Sequence, residues 1–224
     1  MPADAGHTLS EADSKALLAP FGVPFLPEHL VGDPQGAAEA AAAIGGPVVA
    51  KLCGEAIAHK TERGLVRLGL ATPEDARRAA EELLAAARPD DGAVQVLVAP
   101  MVRATRELIA GLALDPQFGP TVVLGVGGIL AEAVADAVVR LVPISEVDAE
   151  DMLDDLATQA LLGPFRGEPA VDRRAVVAVL IALSDAAERV PGLVSVDLNP
   201  LMVVDGEPVA VDALVELSDP SGAV

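Results

Sequence analysis

The chain has 224 residues, long enough to bury a core as one compact domain or two closely apposed lobes. With 52% hydrophobic and 22% charged residues it is not a disordered polymer. It holds 4 Phe and no Trp or Tyr, so its interior is built from Ala, Val, Leu and Ile. Against 15 Lys and Arg stand 34 Asp and Glu, and the resulting charge of -19 repels a polyphosphate backbone, which argues against nucleic acid as a partner.

Ser10, followed by Glu11 and Asp13, is a helix start of capping-box type. Leu17, Leu18 and Phe21 give that helix one apolar face, and Gly22 stops it. Asp33 with Pro34 opens a second helix, whose Ala-rich run to Ile44 ends at Gly45-Gly46. The period then changes, and residues 47–53 and 64–70 read as strands joined by a loop that carries His59, Lys60 and Thr61. Thr72-Pro73-Glu74-Asp75 caps a third helix reaching about Ala87.

Strands are predicted over 93–101, 107–114 and 121–126, with a turn at 115–119 between the last two. Amphipathic helices are predicted over 145–162 and 172–189, separated by the loop 163–167. A hairpin closes the pattern, with strands over 194–204 and 207–215 around Asp205-Gly206. The mixture predicts an α+β or α/β fold with a boundary near residues 99–105. Cys53 cannot form an intrachain disulfide, and the start lacks a basic stretch followed by an apolar one, so a cytoplasmic protein is expected. The most apolar stretches are too short, or broken by Glu132, for a membrane span.

The hairpin carries a register argument. If Asp205-Gly206 is a two-residue turn, Val204 faces Glu207 and the numbers of paired residues sum to a constant, which sets Asn199 opposite Asp212. Asp197 shares their face, because alternate strand residues point the same way. Two carboxylates and an amide oxygen are hard ligands suited to Mg²⁺ that also holds phosphate oxygens. Pro200 cannot donate to a ladder, so a bulge there would disturb the count. On spacing alone a metal site and a merely solvated face stand level.

Three stretches, 48–66 (VVAKLCGEAIAHKTERGLV), 96–132 (VLVAPMVRATRELIAGLALDPQFGPTVVLGVGGILAE) and 195–215 (SVDLNPLMVVDGEPVAVDALV), occur in an order that resembles one family. It is the nucleotide-binding ATP-grasp domain of NDP-forming acyl-CoA synthetases, the group that includes ADP-forming acetate-CoA ligase β subunits and is related to succinyl-CoA synthetase. The likeness spans roughly residues 10 to 217. It implies an α+β, two-lobed fold of mainly antiparallel sheets flanked by helices. The smaller lobe would cover about 23–101, the larger 1–22 plus 102–217, and 218–224 would form a tail.

By the same resemblance Lys51 contacts nucleotide phosphate, where a fixed positive charge offsets the charge of the transferring phosphoryl group. Glu107 lines the nucleotide site, and Val98 to Val102, with Met101 among them, lie beside the adenine, apolar side chains sandwiching the base; Ala99 stands where relatives often carry Gln. Asn199 and Asp212 match Mg²⁺ ligands, and Asp197 matches an acidic position near a phosphorylated histidine, orienting its imidazole or supporting the metal from outside. His59 resembles the family's phosphohistidine shuttle.

The implied function is phosphoryl transfer between a phosphohistidine and ADP/ATP, as the nucleotide-binding β subunit of an ADP-forming acyl-CoA synthetase. Its partner is a CoA-binding α subunit. Two other readings stay open: a carboxylate-amine or carboxylate-thiol ligase of the same fold that needs no shuttle histidine, and a nucleotide-sensing module without transfer chemistry. Thr61 either bonds a phosphate or caps its turn. Gly125 to Gly128 lacks the GKS/T ending of a phosphate loop and reads as a tight backbone feature. Arg166 is expected to fix its loop, and Cys53 to be a small buried residue.

Overall fold

A computed structural model describes residues 6–54, 57, 60, 63–128 and 135–218. The chain divides into two compact units. The first comprises Met1–Thr8, Ser14–Phe25 and Arg103–Val224; the second comprises Leu9–Asp13 and Leu26–Val102. Helix α1 (Glu11–Leu18) begins in the second and ends in the first. Its start is as the sequence indicates: the Asp13 amide donates to Ser10 Oγ, and after a short 3-10 turn Gly22 leaves at φ +102.

The second unit is a four-stranded antiparallel sheet, in the order β2 (His29–Val31), β5 (Val94–Pro100), β3 (Val48–Gly54), β4 (Val66–Leu70). Helices α2 (Pro34–Ile44) and α3 (Pro73–Ala85) cover one face. Both obey local chemistry. Asp33 accepts from the Gly36 amide and Gly45 closes α2 in the left-handed region, while Thr72 and Asp75 cap α3 reciprocally. The small side chains of Ala37, Ala40, Ala41, Ala76, Ala79 and Ala80 let the helices approach closely over Val48, Ala50, Leu52, Val96 and Val98.

The first unit is a seven-stranded antiparallel sheet. Its order is β1 (His7–Thr8), β11 (Leu214–Leu217), β9 (Leu193–Val204), β6 (Arg106–Asp115), β7 (Gly119–Val126) and β8 (Ala137–Leu141), with β10 (Glu207–Ala210) paired to β9. Helix α5 (Arg173–Arg189) packs on β6 and β7; Val176, Leu180 and Leu183 of the helix and Leu108, Leu112, Val122 and Leu124 of the two strands are all buried. Helix α4 (Glu146–Asp155) lies beside it.

The helix expected over 145–162 is therefore shorter. Its last turn carries Asp154 and Asp155 at the negative end of the dipole, and Leu156 leaves it with ψ 130. The following chain is held by Asp136, which accepts from the amides of Ala157 and Thr158 and from the Thr158 hydroxyl. Strands β1, β2 and β8 were not expected. The strand predicted over 207–215 is two strands, β10 and β11, separated by residues 211–213.

Candidate functional site

Lys51, Val98, Met101 and Val102 belong to the second unit; Glu107, Asp197, Asn199 and Asp212 belong to the first. Lys51 lies in the middle of β3, opposite Leu97 of β5. Alternation puts it with Val49, Cys53, Leu97 and Ala99 on the face away from α2 and α3. Its ammonium is nearly buried and donates to Glu11 Oε1 at 2.7 Å; the Lys60 ammonium donates to Glu11 Oε2 at 2.5 Å. The Glu11 side chain is fully enclosed. One carboxylate thus bridges the strand lysine and the lysine next in sequence to His59.

Beyond Lys60 the chain is anchored again. Arg63 forms a two-pronged pair with Asp91, 2.7 and 2.9 Å, and the Arg88 amide adds a third bond at 2.8 Å. The Arg63 guanidinium first, then the Arg88 amide, hold the Asp91 carboxyl down at about 2. His59 and Thr61 lie outside the described residues.

Along the segment expected beside the adenine, Val98 has no exposed side-chain surface and points into the α2/α3 core, so the expected side-chain contact with a base is corrected there: alternation aims it at the helices. Ala99, on the Lys51 face, is also buried. Met101 and Val102 are half-buried just past the end of β5, where the Met101 amide donates to Pro47 O. Cys53 is buried, as expected.

In the first unit the register brackets the expected pair. From the turn, where Asp205 and Gly206 both have positive φ, pairing runs Val204 with Glu207 through Leu201 with Ala210. It stops at Pro200 and resumes as Asp197 with Leu214 and Val196 with Val215, in the same count. Asn199 and Asp212 therefore stand at corresponding positions in the gap, without being a ladder pair. On the β6 side the register slips between Leu108 and Ala110, so β9 carries one extra residue at this point.

That bulge re-phases the alternation. Val196, Leu198, Leu201 and Val203 are buried, while Asp197, Asn199 and Met202 share the opposite face with Glu107, the partner of Met202. Partial desolvation, and then the charge of Asp212, push the Asp197 carboxyl up. Asp212 also accepts from the Ala213 amide at 2.9 Å. Two mutually repelling carboxylates beside an amide oxygen form a hard, electron-rich set that fits a divalent cation. Among the described residues no group of three or more His, Cys, Asp or Glu gathers to hold a metal, so Asn199 and Asp212 would need oxygens from elsewhere to complete a coordination sphere.

Glu107 is fixed by its own strand and by the glycines the sequence marks as a tight feature. The Gly127 amide donates to Glu107 O at 2.8 Å, and a Cβ on Gly127 would lie 3.1 Å from Leu108 O. Gly128, at φ +88, passes the Glu107 carboxylate. Arg106, buried next to it, points the other way and donates to the carbonyls of Leu161, Gly163 and Pro169. Arg166 stacks on Phe165 within the same loop.

Sequence reasoning missed Glu11 and Lys60 as members of the site. Glu11 opens a helix, where an acidic residue has an ordinary electrostatic reason to be. Nothing local reveals contacts 40 and 49 residues away.

One unit thus carries a basic residue on a strand of its sheet, and the other an acidic sheet face. A family model described as the ATP-grasp domain matches residues 1–217, and the chain belongs to that family. Among curated proteins it is 36% identical over 213 residues to the β subunit of acetate-CoA ligase (ADP-forming) II of Pyrococcus furiosus, covering 92% of this chain and 90% of that one. Among solved structures it is similar to an acetyl-coenzyme A synthetase of Ca. Korarchaeum cryptofilum. The form with coenzyme A and Ca-AMPCP gives a TM-score of 0.86 at 32% identity. The form with coenzyme A and Mg-AMPPCP, its phosphohistidine segment pointing towards the nucleotide site, gives 0.81 at 33%. Each covers 94% of this chain and 93% of that one. Among the described residues no helix is long and apolar enough to cross a membrane.

Proposed function

We propose that this chain is the nucleotide-binding β subunit of an ADP-forming acyl-CoA synthetase of the acetate-CoA type, acting in the cytoplasm with a CoA-binding α subunit. The observation that carries this is the likeness to the β subunit of an ADP-forming acetate-CoA ligase, over 92% of this chain and 90% of that one.

In this reading Lys51 neutralises charge on the nucleotide phosphates, and Glu107 lines the nucleotide site with Met101 and Val102 near the base. Asn199 and Asp212 would hold Mg²⁺, which when bound spreads the negative charge of the phosphate oxygens. His59 accepts a phosphoryl group from the partner subunit. A terminal oxygen of ADP then attacks that phosphorus, the phosphorus–nitrogen bond breaks, and the imidazole leaves neutral as ATP forms. Asp197 orients the imidazole, and the chain's own contribution is position and charge.

Mixing the purified chain with its CoA-binding subunit tests this. Alone the chain binds Mg-nucleotide and turns over little acetyl-CoA; with the partner, ADP- and phosphate-dependent release of acetate appears. Full turnover of acetyl-CoA by the chain alone contradicts the assignment. A ligase that makes acyl phosphate without a shuttle is distinguished by His59→Ala, which abolishes turnover here and leaves that mechanism untouched.

A further inference from the structure

We propose that Arg166 is a docking residue: on a loop that the rest of the chain already holds, it presents its guanidinium to a carboxylate of the CoA-binding partner subunit. The inference rests on the reading above that the chain works with such a subunit, and adds to it a point of contact.

The loop is closed without Arg166. Across its base the Val171 amide donates to Leu162 O at 2.9 Å, and both residues are buried. Inside it the Arg106 guanidinium gathers the carbonyls of Leu161, Gly163 and Pro169, and the Asp172 amide ties the exit to Gly206 O at 2.8 Å. The tip is a two-residue hairpin in which Phe165 and Glu168 exchange both backbone bonds, at 3.2 and 2.9 Å. Its central residues, Arg166 at φ +50 and Gly167 at φ +87, are both in the positive region, as a type I′ turn requires. Such a turn favours Asn, Asp or Gly at its first central position, and a long side chain is strained there. Closing the turn therefore gives no reason for an arginine.

Electrostatics within the chain give no reason either. Glu168, the one carboxylate of residues 162–171, turns inward to 3.4 Å from Arg106 Nε, and Asp172 accepts from the Ala175 amide as the cap of α5. Among the described residues no carboxylate lies within ion-pair distance of Arg166; its exposed guanidinium rests on the Phe165 ring, 5.2 Å from the centroid. An aromatic support orients a planar guanidinium and leaves its donors outward, so little freedom is lost when an anion arrives. An arginine so placed pairs with a carboxylate through two parallel bonds, and arginine is enriched among the residues that dominate interfaces. The nucleotide of this chain is not the anion. Arg106, which holds the loop, points to the face of β6 opposite Glu107, so the loop lies on the helix-bearing side of the sheet. An acidic side chain of the subunit that must meet this chain is the source that fits.

The test titrates the CoA-binding subunit into the full chain, as wild type, Arg166→Asn, Arg166→Lys and Arg166→Glu, at low and high salt and with and without coenzyme A. Arg166→Asn is expected to weaken association roughly tenfold, as for one lost charge-assisted contact, and Arg166→Glu at least as much. Arg166→Lys, a point charge without the planar fork, recovers only part of the loss. The gap between wild type and Arg166→Asn narrows at high salt, which a purely structural role would not produce. Affinity for Mg-ATP, read on each chain alone, is expected to stay at the wild-type value. If Arg166→Asn does not fold, Arg166→Gly, for which positive φ is free, takes its place with the same expectation. Association of the Asn and Glu variants equal to wild type overturns the assignment of Arg166, and so does a loss matched by an equal loss of Mg-ATP affinity, which marks a damaged fold. A loss seen only with coenzyme A present assigns the anion to the coenzyme's phosphates and overturns the carboxylate. A wild-type chain that does not associate with the CoA-binding subunit overturns instead the reading on which the inference rests.

Discussion

Gly111 of β6 lies between β9 and β7, at the register position of Asp197. A Cβ added there would sit 2.7 Å from Val196 O, roughly 0.7 Å inside an ordinary carbon–oxygen contact. Both groups belong to the middle of a ladder, so neither can swing aside, and β6 and β9 must part. Overpacking of this kind costs about 1–3 kcal/mol, and removing a glycine from a strand returns about 0.5–1 kcal/mol. Gly111→Ala is therefore destabilising by about 1–2 kcal/mol net, which for a chain of this size lowers Tm by roughly 2 to 8 °C. Calorimetric melts against Gly46→Ala, whose Cβ meets nothing within 4 Å, make the comparison. Because Val196 precedes Asp197, the same variant should also weaken Mg-nucleotide binding. A melting point for Gly111→Ala equal to or above that of Gly46→Ala would refute the close approach of the two strands.

Other perturbations have equally definite outcomes. Asp91→Asn lowers the urea midpoint at neutral pH. Because the native carboxyl is held at about 2, below its unfolded value of about 3.9, the wild-type advantage is whole above about pH 4 and is lost as the pH falls through about 2. A gap between the two midpoints that does not narrow over that window contradicts the Arg63 pairing. Arg106→Met leaves three carbonyls of the 161–169 loop without their donor, and urea unfolding should show a loss of about 3 kcal/mol or more. Asp212→Ala should remove most of the magnesium dependence of ATP binding, read by titrating metal at fixed nucleotide; unchanged dependence would move the metal away from the β9 bulge.

Much of this fold is legible because its punctuation is local. Asp33-Pro34 and Gly45, Thr72 and Asp75, and Asp205-Gly206 each act on their own few neighbours, and the structure uses all of them as the sequence suggests. The hairpin count survives the interruption at Pro200 because the chain opposite makes an excursion of equal length over residues 211–213. Where a segment's state is set from a distance, the reading fails. The end of α4 is fixed by Asp136, some twenty residues earlier, and β2 and β8 are short strands recruited by longer neighbours. The site divides along the same line. Asp197, Asn199 and Asp212 follow from a register, while the part of Glu11 is invisible until β3 and the following loop are brought against the first turn of α1.

Incubation of the chain and its CoA-binding partner with magnesium and γ-labelled ATP, followed by mapping of acid-labile phosphate, tests phosphoryl transfer most directly. Label is expected on His59 of this chain and is expected to vanish in Lys51→Met. Label absent from His59 under all conditions in which ATP is consumed would contradict transfer through this chain.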